Sequence, residues 1–233
     1  MSEGVATAWL DRPEKGNALS APAVDALRAA IDAAVADPAT HTLVLRGRGR
    51  HFCTGFDLSG LEGESDATLR ARFIALEELL QAVWHAPVRT IAIATGRAWG
   101  AGADLFASCD VRACTPEATL RFPGTAFGIV LGTRRLVELI GWDRARALVM
   151  EGATHDAAAA LAAGLATDVV EGDIDEWLAL RCAPPVADRV TLAAIREAAR
   201  PDRRADDLAS LDRSASRPGL VQRIDHYRKS LKK

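Results

Sequence analysis

The sequence predicts an α/β fold: a parallel sheet packed by helices, followed by a helical C-terminal segment. Three observations carry this expectation. Short β runs alternate with amphipathic helical runs through the first half of the chain. Glycine-rich loops follow those β runs and lead toward helical sequence. Beyond Phe122 the pattern is almost wholly helical. Parallel strands need crossover connections, which the amphipathic runs supply.

Each element has its own reason. Val5–Leu10 reads as a short strand, and Arg12-Pro13-Glu14-Lys15-Gly16-Asn17 as a turn. Ser20 is placed to cap a helix whose Val24, Leu27, Ile31 and Val35 share one face as far as Pro38. Thr42–Leu45 is a compact β run, and a glycine- and arginine-rich loop extends from Arg46 to Gly60. Leu69, Phe73, Leu76, Leu79, Leu80 and Val83 mark a second amphipathic helix that ends before Pro87. Thr90–Ala94 reads as a buried strand, Ala103–Cys109 as a short apolar helix and Val111–Cys114 as another strand. After Leu120–Phe122, helices are expected over Arg134–Ile140, Asp143–Glu151, Asp156–Ala163, Asp175–Cys182, Arg189–Ala199 and Gly219–Leu231, with Thr167–Val170 the one strand among them. Arg200-Pro201-Asp202-Arg203-Arg204 reads as a hinge, dividing a core of residues 1–200 from a helical lid or oligomerisation segment of residues 201–233.

Composition excludes more than it names. Of 233 residues, 49% are hydrophobic, enough for a sizeable core. Twenty-nine Lys and Arg against 31 Asp and Glu leave a net charge of −2, so no global field attracts nucleic acid or an anionic membrane. No uninterrupted apolar run reaches the roughly 18 residues of a membrane span. The stretch Met1–Leu10 lacks the charged and apolar regions of a signal peptide, so a soluble cytoplasmic protein is expected. Cys53, Cys109, Cys114 and Cys182 have neither metal-ligand spacing nor a disulfide pattern and are expected to be small buried hydrophobes. The run Arg223–Lys233 is locally basic, as suits a helix end, and also suits an anionic ligand.

Two glycine loops carry the functional reading. Thr95 to Gly102 has the T-G-x-x-x-G-x-G form of a dinucleotide loop. It follows the third strand rather than the first, however, and the single tyrosine, Tyr227, has Leu231 where a Tyr-x-x-x-Lys pair needs lysine. The alternative pairs this loop with His51-Phe52-Cys53-Thr54-Gly55-Phe56-Asp57-Leu58. Parallel strands present successive loops side by side at their carboxyl ends. One backbone N–H from each can then converge on a single oxygen and stabilise an enolate or a tetrahedral oxyanion.

At these residues the chain resembles a known family. Leu10 to Ser20 looks like the N-R-P-E-K-x-N-A-L-S segment of the crotonase (enoyl-CoA hydratase/isomerase) superfamily. Phe52 to Leu58 is similar to its F-x-A-G-A-D-L loop. Pro87–Arg112 follows its P-x-I-A-x-x-x-G-x-A-x-G-x-G block, and Gly152–Val170 its later G-L-V run. The resemblance implies a spiral of ββα units, a homotrimer or hexamer, and an acyl-CoA substrate, with coenzyme A part of that substrate and no separate cofactor or metal. It places the oxyanion hole at the amides of Phe56 and Ala101, supported by Gly55 and Gly100. It assigns substrate contact to Cys53, Gly55, Trp99, Gly100 and Gly124, with Trp99 reshaping the acyl pocket, and places Arg12 and Lys15 to meet phosphates.

The chemistry departs from the hydratase pattern. The first acidic position is filled by Asp104, one helical turn beyond Ala101, where a helix N-terminus favours the charged form and a base role. The second is filled by Gly124, within Leu120-Arg121-Phe122-Pro123-Gly124, and the turn up to Thr133 is short for the family. Adding water across a double bond is usually shared by two carboxylates, whereas one suffices to move a proton from α to γ. The expectation is therefore a lyase or isomerase that performs isomerisation or another one-acid enolate reaction. A thioester hydrolase or decarboxylase is the enzymatic alternative, and a degenerate acyl-CoA-binding or assembly protein the other. Glu62 and Glu138 are the candidate substitutes for the second acid, His51 a rim residue, and Asp57 a loop residue.

Overall fold

A computed structural model describes residues 3–231. Five parallel strands form the main sheet, β1 (Val5–Leu10), β2 (Thr42–Gly47), β3 (Arg89–Ala94), β5 (Val111–Cys114) and β8 (Asp168–Val169), side by side in that order. A smaller sheet joins β4 (Arg97–Trp99) and β6 (Thr119–Arg121) in parallel to β7 (Thr154–Asp156) in antiparallel. The chain spirals between the two. β3 leaves the main sheet, turns at Gly96 and enters the small sheet as β4; β5 is followed in the same way by β6. The loop after β2 makes the same move with a single bridge, Cys53 to Ala98.

Alternation along the central strands explains the layers. Leu43, Leu45, Ala92 and Ala94 face the principal core, which includes α1 (Ala21–Ala36) and α2 (Asp66–Trp84). Val44, Ile91, Ile93 and Ala113 face the opposite side, where Ile174, Trp177 and Leu178 of α7 (Ile174–Arg181) cover them. A parallel sheet buried on both faces needs such near-continuous apolar strands. Ser20 and Ser65 cap α1 and α2, Ser65 in a reciprocal capping box with Thr68. The remaining helices are α3 (Ala101–Ala107), α4 (Thr133–Ile140), α5 (Trp142–Val149), α6 (Ala157–Ala163), α8 (Arg189–Ala199), α9 (Arg204–Ala215) and α10 (Leu220–Ser230).

Three expectations change. β4 and β7 add two strands that three-residue lengths conceal from any periodicity. The Arg200–Arg204 segment is pinned rather than free: Arg200 stacks over Trp84 at 4.0 Å and pairs with Asp110, and α9 begins at Arg204. That helix, absent from the sequence reading, packs on α2 through Leu211 and Ala215. Arg70 binds Asp212 through two hydrogen bonds, and the buried Arg135 joins Glu77 of α2 to Asp207 of α9. Breaking a buried pair of this kind leaves an uncompensated charge, so α9 is fixed to the core. Lys232 and Lys233 of the basic run lie outside the described residues; within it, Arg228 and Lys229 pair with Asp225, and Arg223 donates to backbone carbonyls. No helix among the described residues is long and apolar enough to cross a membrane.

Candidate active site

The two glycine loops meet. Phe52 N–H donates to Thr95 O, Cys53 N–H to Arg97 O, and Trp99 N–H to Cys53 O, which zips the first loop onto β4. The approach is so close that a Cβ on Gly55 would lie 2.7 Å from Trp99 O and 3.4 Å from Ala101 N. A Cβ on Gly102 would lie 2.4 Å from Cys53 O and 2.6 Å from Cys53 Cβ. Gly102→Ala is therefore expected to lower stability by about 1–3 kcal/mol, the usual cost of overpacking, and to force the loops apart. Denaturant unfolding checks the first effect and turnover the second.

This contact brings the backbones around Phe56 and Ala101 to one place. Gly100 adopts φ 54°, ψ −130°, a conformation suited to glycine, and its N–H is tied to Arg121 O at 2.8 Å. Ala101 then opens α3 with ordinary backbone geometry, so alanine there carries no strain. Its N–H is one of the first-turn amides that have no intrahelical acceptor. Neither Phe56 N–H nor Ala101 N–H donates to a protein acceptor among the described residues, and both residues line one cavity of about 240 Å³.

Asp104 lines the same cavity, and its side-chain oxygens make no hydrogen bond or ion pair among the described residues. Gly132 makes room for it, since a Cβ there would lie 2.2 Å from Asp104 Oδ1. Burial pushes the carboxyl well above its ordinary value; Arg135 opposes this and Glu77 adds to it. The bias expected from the helix terminus is thus overridden: removal from water favours the neutral form.

Of the candidates named from sequence, Gly55, Phe56, Trp99, Gly100, Ala101, Asp104 and Gly124 come together at the cavity. Arg12, Lys15 and Cys53 do not line it. Arg12 is committed to Asp57 at 2.8 Å and to Ala18 O at 2.7 Å, and faces a separate groove. Lys15 is exposed in the turn before the loop. Cys53 is wholly buried behind Gly102, where burial pushes its thiol up to about 12. The other three cysteines are buried too.

Asp57 acts within its loop: burial opposes its ionisation, but hydrogen bonds from Ser59 and Arg12 hold its carboxyl below the usual range. His51 does not line the cavity; its ring nitrogen accepts from Arg97 N–H. Glu62 pairs with Arg228 and Glu138 with Arg134, both outside the cavity, so neither replaces a second acid there. No group of three or more His, Cys, Asp or Glu fit to hold a metal occurs among the described residues.

Sequence reasoning missed Phe73, Phe127, Tyr227 and Leu231 as cavity residues. The recurrence of Leu220, Ile224, Tyr227 and Leu231 on one face of α10 was the available signal.

The known proteins similar to this chain share one description. The enoyl-CoA hydratase/isomerase family model matches residues 1–202. A Mycobacterium leprae protein named as a probable enoyl-CoA hydratase, EchA6, is 36% identical over 185 residues, covering 76% of this chain and 73% of its own. A Mycobacterium tuberculosis protein named as a probable enoyl-CoA hydratase, EchA14, is 33% identical over 82% of this chain and 75% of its own. Among solved structures, a Bordetella parapertussis protein assigned to the enoyl-CoA hydratases/isomerases superposes with a TM-score of 0.92 at 41% identity, covering 97% and 95% of the two chains.

Proposed function

The chain belongs to the enoyl-CoA hydratase/isomerase family, and from that premise we propose that it isomerises the double bond of an acyl-CoA thioester through an enolate. The observation that carries this reading is a cavity with two free amides and one carboxyl, but no second acid at Gly124. The thioester oxygen accepts hydrogen bonds from Phe56 N–H and Ala101 N–H. Asp104 takes the α-proton of a 3-enoyl thioester, and the electron pair passes into the carbonyl as a dienolate. The same carboxyl, now protonated, delivers its proton to the γ-carbon, giving the 2-enoyl thioester with no net loss or gain of protons.

Donors aimed at the developing oxyanion favour the dienolate over the neutral thioester, which is what lowers the barrier. One such donor is worth ~3–4 kcal/mol. The raised affinity of Asp104 for its proton suits both halves of the transfer, and exclusion of water keeps that proton from exchanging with solvent. Coenzyme A enters only as part of the substrate, and the active form is read as a homotrimer or hexamer, a reading supported by the exposed Trp142 and Met150.

Purified protein offered a 3-enoyl-CoA is expected to produce the conjugated 2-enoyl thioester, followed by its ultraviolet absorbance. Crotonyl-CoA is expected to be hydrated far more slowly. Faster hydration than isomerisation would overturn the proposal.

A further inference from the structure

One wall of the cavity takes no part in the proton transfer. Phe56, Phe73, Phe127 and Tyr227 come from the first loop, α2, the turn at Pro123–Phe127 and α10, and all four line the cavity. Their rings follow one another, with centroids 4.4, 6.3 and 5.2 Å apart, and the first pair is stacked at 14°. The first ring belongs to the residue whose N–H is the oxyanion donor; the last stands on the C-terminal helix. An acyl group held by its carbonyl at Phe56 N–H has this ladder beside it as far as Tyr227.

The hydroxyls along the lining differ in one respect. Thr125 donates to Val149 O at 2.6 Å, while the Thr54 and Thr133 hydroxyls reach backbone carbonyls at 3.5 Å. The Tyr227 hydroxyl has no hydrogen-bond partner among the described residues; Leu58, Ile129, Leu131 and Val149 add apolar surface, and Arg97 and Asp104 are the charged residues of the lining. Burial, opposed by the nearby Arg121 cation, pushes the phenol above its ordinary value, so it stays neutral and able to donate at neutral pH.

We propose that this wall selects flat aromatic acyl groups carrying an oxygen at the end remote from the thioester, with Tyr227 as the residue that recognises that oxygen. The inference rests on the CoA-thioester reading above. Aromatic faces favour a stacked or edge-on ring beyond simple area burial, and a lone phenol favours the ligand that pairs with it.

Binding of three unreactive eight-carbon thioesters, measured by calorimetry, tests this: octanoyl-CoA, phenylacetyl-CoA and 4-hydroxyphenylacetyl-CoA. The expected order of affinity has the hydroxyaryl ligand tightest and octanoyl weakest. Tyr227→Phe is expected to weaken 4-hydroxyphenylacetyl-CoA about fivefold, as for one neutral hydrogen bond, and phenylacetyl-CoA by less than about twofold. Phe127→Leu is expected to narrow the gap between phenylacetyl-CoA and octanoyl-CoA. Octanoyl-CoA binding as tightly as the aryl ligands, or Tyr227→Phe weakening both aryl ligands equally, overturns the inference while leaving the CoA-thioester reading in place. Failure of all three to bind the wild-type protein removes that reading, and this inference with it.

Discussion

Asp104→Asn is expected to lower kcat for double-bond migration by about 10²–10⁴-fold, the range lost with a positioned general base. Acyl-CoA binding should change little, because asparagine keeps the shape and the native carboxyl makes no hydrogen bond that the change would break among the described residues. The wild-type kcat should rise with pH through the raised value of Asp104, since only the ionised form accepts the α-proton, and level off above it. The variant's residual rate should lack that rise. A variant retaining wild-type kcat would remove Asp104 from the chemistry.

The same substitution carries a stability signature of opposite sign. Burial raises the folded-state value of Asp104 above its unfolded value of about 3.9. Its neutral form therefore contributes stability that is complete below the unfolded value and is lost as pH rises through the folded value. Asparagine cannot ionise, so the variant should show the higher Tm at pH 8, with the difference closing toward pH 4. Thermal unfolding across that interval measures it. A lower Tm for the variant at pH 8 would mean that attraction to Arg135 outweighs burial. Activity and stability are thus expected to oppose each other at one carboxyl, whose ionised form proton transfer needs and burial disfavours.

Much of this was legible in the sequence, for identifiable reasons. The strands and longer helices follow from hydrophobic period and from caps such as Ser20, which are local properties. That Phe56, Ala101 and Asp104 share one cavity was legible because the two loops carry ordered motifs; Gly55 and Gly102 are demanded by the closeness of the backbones, and Gly100 by its positive φ. What was hidden depends on distance along the chain. The docking of α9 is invisible locally, because its Asp207 and Asp212 are met by Arg70, Arg134 and Arg135 from distant parts of the chain. Arg12 read as a cation free for phosphate because its partner, Asp57, lies 45 residues away. Tyr227 read only as a tyrosine without its lysine, since the fold alone brings α10 to the cavity. The proton affinity of Asp104 was misread for the same reason: a helix terminus is visible in sequence, whereas burial is not.

Gly124→Glu is expected to raise water addition to crotonyl-CoA by about 10²-fold or more, the contribution of a second positioned acid. The site admits the change. Gly124 is free of left-handed geometry, and an added Cβ would meet only Ile129 O, at an ordinary 3.8 Å. Its place in the turn Pro123–Phe127 puts it on the cavity wall with Phe122 and Phe127, so a carboxyl there would be partly desolvated and biased toward its neutral form. Hydration then balances with two carboxyl groups in opposite states. The carboxylate takes a proton from water as its oxygen bonds to the β-carbon, and the carboxylic acid gives its own to the α-carbon. Asp104→Asn in the same background should abolish the gain, because one acid cannot serve both ends at once. If Gly124→Glu binds acyl-CoA like the wild type yet hydrates no faster, a missing carboxyl is not what restrains water addition, and the cause lies in the shape of the short turn up to Thr133.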